Sequence, residues 1–370
     1  MSHSPSQGAG ERRFPCSQCG AELAFAPGVS VLRCGHCGTE TEIPVEVAPV
    51  EELDFRSHVT DLAARADTVD RIVSRCHMCG AEVEFPENVT SHACPFCSSN
   101  VVATGRSVKV IRPRSLLPFA VEERRAREAY RAWMSKLWFA PSDLKKMARV
   151  ESHLSGVYLP FWTYDCDVTT DYRGQRGEHY WDTEHYTTRD SQGRTQHHTR
   201  QVRKTRWYPA RGRVFNEFDD VLVAATGSLD RNMLEKLEPW DLDGLVPYED
   251  AFLAGFRSES YAIDLASGFT RAQELMDPHI RATIRSDIGG DEQQISWMQP
   301  HYNGITFKHL LLPVWILAYR YGNKSFQVLV NARTGEVIGT RPYSAWKIAT
   351  LVACILLAAG LVLLIVAMSR

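Results

Sequence analysis

The sequence predicts an α+β protein in three parts: two small cysteine-built modules at the N-terminus, a body of mixed antiparallel sheet and helix, and one C-terminal transmembrane helix. Three observations predict it. One four-cysteine pattern is written twice between residues 16 and 97, with each cysteine of the second copy sixty positions after its counterpart. Residues 106–343 mix helical periodicities with polar, strand-like stretches bounded by turn residues. Residues 348–368 carry no charge. At 44% hydrophobic and 23% charged, the 370 residues have the composition of a folded chain, which excludes wholesale disorder.

Met1 to Glu11 is small and polar, without the apolar stretch of a signal peptide. Residues 1–13 are therefore expected to be a disordered start, with the amino end in the cytoplasm. In a reducing compartment, closely paired cysteines read as metal ligands rather than disulfides. The first set is Cys16, Cys19, Cys34 and Cys37, within residues 14–43; the second is Cys76, Cys79, Cys94 and Cys97, within 74–105. Each reads Cys-x2-Cys, fourteen residues, Cys-x2-Cys, and Gly-Ala-Glu follows the first pair both times. Such a pair puts two thiolates on one tight turn, and two of these knuckles facing across a short hairpin make the tetrahedral sulfur cage that zinc prefers. Gly20, Gly35, Gly38 and Gly80 suit the positive φ of knuckle turns. Strand-like runs lie between the pairs, at 22–25 with 29–33 and at 82–85 with 89–92. Both modules read as zinc ribbons, with two structural zinc ions in all. Four thiolates leave no open coordination position, so these metals are expected to fold their modules rather than catalyse. The rival is dithiol chemistry at Cys94-Pro95-Phe96-Cys97, which requires a βαβ setting that the sequence does not display. His36, His77 and His92 flank the ligands and read as surface residues, since each set already has four sulfurs.

Residues 44–73 form a linker. Glu40 to Pro49 is acidic and holds two prolines, as an extended segment would. Leu53 to Ala66 is expected to be a short helix, and Val69 to Val73 a strand entering the second ribbon. In the body, a β-like run over 108–114 precedes a helix over about 121–136, where Tyr130, Trp133, Met134 and Leu137 recur at helical spacing. Ser142 has the character of an N-cap for a short helix to Arg149. The apolar strand Gly156 to Tyr164 has an echo at Leu310 to Tyr319. Both contain Leu-Pro-x-Trp, which reads either as two related halves or as two buried strands entered past a proline.

Between Cys166 and Val214 two or more long antiparallel strands are expected, turning at Asp190 to Arg194, with a further strand over 215–223. His179, His185, His197 and His198 lack regular ligand spacing and read as an exposed ribbon rather than a metal site. The run Arg200 to Arg213 interleaves cations with Trp207 and Tyr208. It suits nucleic acid or acidic lipid headgroups, against the simpler reading of a solvated strand face. Ser228 is the expected cap of a helix to Glu238. A longer helix over 264–284 is interrupted or restarted near Pro278. A meander closes the body through turns at 322–323 and 334–335.

The twenty-one uncharged residues of Ile348 to Met368 make about 31 Å of helix, enough for a bilayer core of about 30 Å. With Tyr343 and Trp346 as interfacial aromatics, residues 346–368 read as a transmembrane helix. Arg341 and Lys347 mark its amino side as cytoplasmic. The chain is thus expected to be tail-anchored and single-pass in the cell membrane, with its bulk in the cytoplasm. Residues 1–112 carry 10 Lys and Arg against 14 Asp and Glu, whereas 113–215 carry 19 against 12 and 216–345 carry 11 against 18. An acidic ribbon segment disfavours nonspecific nucleic-acid binding, which draws on Lys and Arg.

The two ribbons, Cys94-Pro-Phe-Cys97, Leu159-Pro-Phe-Trp162, Thr205-Arg-Trp-Tyr-Pro209, Val330-Asn-Ala-Arg-Thr-Gly-Glu-Val337 and the terminal apolar helix occur in this order. The chain thereby resembles bacterial tail-anchored double zinc-ribbon membrane proteins, often labelled primosomal protein N′, superfamily II helicase or TFIIB-type zinc ribbon protein. The helicase label does not suit it, because no Gly-x4-Gly-Lys-Ser/Thr loop is present. The resemblance implies a partner among membrane-stress scaffolds of the stomatin-like or phage-shock class. The leading expectation is a non-enzymatic, zinc-binding membrane adaptor whose ribbons meet a protein partner. The alternative is a membrane-tethered nucleic-acid-binding protein using the ribbons and the Arg200–Arg213 run. No Ser/His/Asp arrangement, open metal site or nucleotide loop suggests an enzyme or a small-molecule substrate.

Overall fold

The structure, a computed structural model, describes residues 14–44, 50–60, 68–84, 91–97, 99–102, 106–141, 144, 153–189, 192–321 and 324–368. The expected disordered start and nearly all of the helix expected over 142–149 lie outside these residues. Strands β1 (Leu23–Ala26), β2 (Val31–Cys34) and β3 (Glu40–Glu42) form the antiparallel sheet of the first ribbon. β4 (Leu53–Asp54) runs straight into α1 (Phe55–Val59), whose Asp54 side chain accepts from the Ser57 amide at 2.7 Å. The helix expected over 53–66 is therefore displaced at its start, because Leu53 is taken as a strand partner by Phe307; residues 61–67 lie outside the described set.

The second cysteine module comprises β5 (Thr68–Arg75), β6 (Glu82–Glu84), β7 (Ser91–Ala93), β8 (Asn100–Val102) and β9 (Arg106–Ile111). β5 pairs on one side with β6 and on the other with β9, while β7 and β8 make a separate hairpin.

The body continues with β10 (Ser115–Leu116), α2 (Glu123–Ser135), β11 (His153–Arg189), β12 (Thr195–Ala224), α3 (Arg231–Glu235), β13 (Val246–Pro247), β14 (Arg257–Ser258), α4 (Leu265–Ile288), β15 (Glu292–Tyr321), β16 (Lys324–Asn331), β17 (Val337–Gly339) and α5 (Ala345–Met368). One sheet runs β12-β11-β15-β10-β13, with β4, β14, β16 and β17 added at its sides. Three strands of 37, 30 and 30 residues replace the several shorter ones expected. The prolines at 160 and 313 do not end them. Each sits inside its strand with its carbonyl in use, accepting from Ala225 at 2.9 Å and from Ala332 at 3.1 Å. The two Leu-Pro-x-Trp segments are antiparallel neighbours, with Leu159 opposite Leu312 and both fully buried. The echo is thus a local pseudo-twofold within one ladder. The first half of β15 went unexpected because residues 292–303 are largely polar on a partly exposed ladder.

Alternation along β11 divides the sheet into two faces. Leu154, Tyr158, Trp162, Tyr164, Cys166, Val168 and Tyr172 lie on one, under α2 and α4. Val157, Leu159 and Phe161 lie on the other, with Leu229, Met233 and Leu234 around α3. Helix α2 buries Ala126, Tyr130 and Met134 and leaves its charged side in solvent, as its spacing predicts. The cap of α3 is Asp230 rather than Ser228: its carboxylate accepts from the Met233 amide at 3.1 Å, while the Ser228 hydroxyl donates to Glu259 instead.

Helix α4 runs unbroken for 24 residues through Pro278. Proline removes one helical donor, and here both Pro278 and Glu274, four residues earlier, are exposed, so water can take the freed carbonyl. The buried stripe Leu265, Phe269, Ala272, Met276, Ile280 and Ile284 lies along the long strands. At its start, Trp162 donates to the Ile263 carbonyl at 2.9 Å and Tyr164 to that of Leu265 at 2.7 Å. Gly268 makes this approach possible, since a Cβ there would meet the Tyr164 hydroxyl and stand 2.8 Å from the Trp162 ring. Gly268→Ala should destabilise the body by about 1–3 kcal/mol through overpacking, read as a lowered thermal midpoint; an unchanged midpoint would contradict this packing.

Candidate metal centres

In the first ribbon, one knuckle stands just before β1 and the other closes the turn from β2 to β3. Gly20 and Gly38 donate to the carbonyls of Cys16 and Cys34 at 2.8 and 3.0 Å, and the Cys16 and Cys34 amides donate to those of Ala21 and Thr39 at 2.7 and 2.8 Å. The positive φ belongs to Gly20 (72°), Gly38 (80°) and, in the second ribbon, Gly80 (77°), each one residue past the second cysteine of its pair. Gly35, expected to share this conformation, does not adopt it.

The four Sγ atoms of each set lie within 4.8 Å of one another. Cys16 and Cys37 are 3.5 Å apart, as are Cys19 and Cys34; Cys76–Cys97 is 3.6 Å and Cys79–Cys94 is 3.7 Å. A disulfide would bring sulfurs to about 2.05 Å. A tetrahedron with Zn–S of about 2.3 Å has edges of about 3.8 Å. The donor sets therefore fit zinc, with all four positions filled by protein sulfur. His36 and His77 are exposed, and each set of four thiols comes together without them.

A hydroxyl supports each cluster. Thr39 Oγ1 lies 3.1 Å from Cys37 Sγ, and Ser99 Oγ lies 2.9 Å from Cys97 Sγ and 3.3 Å from Cys76 Sγ. The Thr39 hydroxyl, aided by its amide, brings the Cys37 thiol down to about 6. Burial raises Cys76, but the Ser99 hydroxyl and the amides of Cys79 and Met78 outweigh it and bring that thiol to about 6 as well. Within the same clusters the Ala21 amide lowers Cys19, but Cys34 and Cys37 outweigh it and that thiol goes up. Cys79 goes up through Cys94 and burial, and Cys97 through burial in spite of Ser99. Hydrogen bonds to ligand atoms orient them and favour the anionic form a metal requires. Sequence reasoning missed both residues, although the sixty-residue repeat extends to them.

The ribbons are built into the body rather than suspended from it. Cys16, Leu23, Phe25, Leu32 and Cys34 share a core with Phe119, Tyr158, Phe252 and Trp315, on the α2 face of the sheet. The Phe25 amide donates to the Ala254 carbonyl and that of Gly28 to Phe119, both at 2.9 Å. On the opposite face, Cys76, Ala81, Cys94 and Phe96 share a core with Leu117, Leu159, Leu310 and Leu312, and Gln327 donates to the Phe96 carbonyl at 2.7 Å. Each ribbon keeps an exposed tip: Cys19, His36 and Cys37 on the first, and His77, Met78 and Cys79 on the second.

The chain is similar to an uncharacterized protein of Bacillus subtilis (strain 168), YdjG. The two are 25% identical over 339 residues, which span 91% of this chain and 92% of that protein. No protein-family model matches the chain. No solved structure matches it.

The other sequence candidates are dispersed. His179 pairs with Glu292 at 2.7 Å, whereas His198 stacks on Tyr186 and meets Thr188 on the opposite face of the ladder. Within the Arg200–Arg213 run, Arg200 pairs with Glu184, Lys204 with Asp182 and Arg213 with Asp171, at 2.9, 2.7 and 2.8 Å. Much of its charge is answered by β11.

One polar cluster around the buried Lys308 was not anticipated. A bulge between Tyr164 and Cys166 faces Asp220, which has a φ of 51°. There Asp165, Asp219 and Asp220 converge, and the Lys308 ammonium pairs with two of them and with Glu52. It lies 2.7 Å from Asp220, 3.1 Å from Glu52 and 3.7 Å from Asp165, with 8% of its side chain exposed. It also ties the segment between the ribbons to the body. The helix α5, 24 residues, is long and apolar enough to cross a membrane.

Proposed function

We propose that the chain is a non-enzymatic membrane adaptor, single-pass and tail-anchored in the cell membrane through α5, whose two structural zinc ions hold a cytoplasmic surface for a protein partner. The supporting observation is that two four-cysteine clusters, each with an exposed tip, are built into opposite faces of one sheet, on a body joined to an apolar helix. Such sites order a surface and supply no open metal position for a substrate. The resemblance described above points to a membrane-stress scaffold of the stomatin-like or phage-shock class as the partner.

Crosslinking in intact membranes tests this reading. Met78 is 58% exposed at the second tip, and Met78→Glu leaves every ligand sulfur in place. The variant should keep two zinc ions and its membrane fraction while losing a stoichiometric protein that the parent chain retains. Absence of any such protein from the parent chain would defeat the adaptor reading.

A second reading, nucleic-acid binding, draws on Trp181, which stands directly opposite Arg203 in the ladder, with both exposed; alternation along β12 adds Arg211 to that face. It predicts affinity falling linearly with salt on logarithmic axes, and a slope reduced by about one on Arg203→Ala.

A further inference from the structure

Helix α2 ends at Ser135, and the chain then turns back through residues 137–140. Leu137 and Ala140 are buried, at 5% and 0% exposure, and hold the turn against the body, while Trp138 projects outward with 76% of its surface exposed. The large aromatics of the core, such as Trp162 and Trp315, are 0% and 5% exposed, so an outward indole on a turn this firmly held requires a reason.

The backbone of this turn is bonded to the start of α5. The Ser344 amide donates to the Phe139 carbonyl at 2.8 Å, and the Lys347 ammonium donates to the carbonyls of Ala140 and Trp138 at 2.8 and 3.2 Å. Lys347 is the last charged residue before the apolar stretch, and its neighbour Trp346 is 80% exposed. The backbone of Trp138 is thereby fixed at the level where the apolar helix begins, the level at which Trp346 occupies a position that membrane interfaces favour. Arg341, lying over the Tyr343 ring at 5.4 Å, and the exposed Lys136 add positive charge at this pole, as anionic headgroups would require.

From this geometry we infer that the 137–140 turn is a second lipid contact, with the Trp138 indole seated among the headgroups next to Trp346. The body then rests on the bilayer in a fixed orientation instead of swinging from a single helix. The inference rests on the reading of α5 as a membrane span, and its test separates the two.

The full-length chain is reconstituted into vesicles of equal parts phosphatidylcholine and phosphatidylglycerol, with the photo-crosslinker p-benzoylphenylalanine replacing Trp138, Trp346 or Trp181 in turn. Trp181, 68% exposed on the β11–β12 ladder, is the reference for an exposed indole outside the turn and α5, and about 0.5 M salt in the buffer suppresses attraction of the neighbouring cations to the headgroups. Lipid adducts are expected at positions 346 and 138, each about tenfold above position 181. Adducts at 346 with position 138 no higher than 181 would overturn the second contact and leave the span intact. Adducts at neither 346 nor 138 would overturn both. Because the replaced side chain is exposed, retention of two zinc ions serves as the folding control.

Discussion

Replacing Cys94 by serine is expected to release one zinc ion per chain and to unfold more than the second ribbon. Cys94 is 1% exposed and packs in the same core as Phe96, Leu159, Leu310 and Leu312. Structural zinc in small modules contributes about 10–16 kcal/mol of apparent binding free energy, which is folding free energy because the site does not exist in the unfolded chain. A site left with three sulfurs forfeits a large part of that, and the lost ribbon bares apolar residues of the central strands. Metal analysis should fall from two ions to one, with a lowered midpoint for the whole body. Cys166→Ser, which alters a buried cysteine outside both clusters, should retain both ions. Two ions in Cys94→Ser, or a body that melts unchanged, would show that the ribbon is not integral to the core. Acidification should act in the same direction, since zinc binds thiolate and protons compete for it.

The second large effect is expected from Lys308→Met. Removing one partner of a fully buried pair costs about 3–5 kcal/mol, because the remaining charge keeps its desolvation penalty and loses its counterion. With Asp220 and Glu52 at 30% and 41% exposure, water offsets part of this and the loss here should be about 2–3 kcal/mol. Here Asp165, Asp220 and Glu52 would be left facing one another. The loss should depend on pH, with a definite sign. Burial raises the Asp165 carboxyl to about 6, even though the Asp220 amide and Lys308 act against it. A carboxyl raised above its ordinary value of about 3.9 favours the folded state most when protonated, and that contribution is lost as pH climbs through about 6. Glu52 behaves oppositely. Burial raises it, but Lys308 and Thr306 lower it further, so its contribution is present above its ordinary range and vanishes on acidification. Without Lys308, Asp165 climbs higher and the Glu52 contribution disappears. The Asp165 change makes the variant's deficit smaller at pH 5 than at pH 8, whereas the lost Glu52 contribution weighs about equally at both, since both lie above its ordinary range. Denaturant unfolding of parent and variant at the two pH values measures this, and equal deficits would contradict the cluster's energetics.

The parts of this protein that were legible in its sequence are those set by short-range chemistry. A Cys-x2-Cys knuckle is local, so eight ligand candidates could be named from spacing. The buried faces of α2 and α4 follow from helical period, and the closing meander from its turn residues. What depends on distant partners was not legible. Nothing near Leu53 announces that Phe307 will pair with it, and nothing near Phe25 announces Ala254. The Lys308 cluster needs a bulge to aim Asp165 and a partner at Glu52, more than two hundred and fifty positions away. Strand length was misjudged because the change from apolar to polar sequence after Tyr164 reads as a boundary, whereas β11 continues through it by a bulge between Tyr164 and Cys166. Thr39 and Ser99 stood in plain view of the repeat, but their role appears only once the sulfurs have positions.

The docking of the ribbons on opposite faces of the sheet has a consequence for how the chain reaches its native state. Tyr158 faces the first ribbon and its neighbour Leu159 the second, and the same alternation continues in β15 through Leu311 and Leu312. A slip of one residue between strands exchanges the two faces. Strands as long as β11 and β15 have many near-equivalent alignments, yet a slipped pair presents each ribbon with side chains shaped for the other. Neither zinc module can then seat. The two ribbons together thus match the sheet only in the observed frame, so each adds to the energetic cost of a slipped pairing.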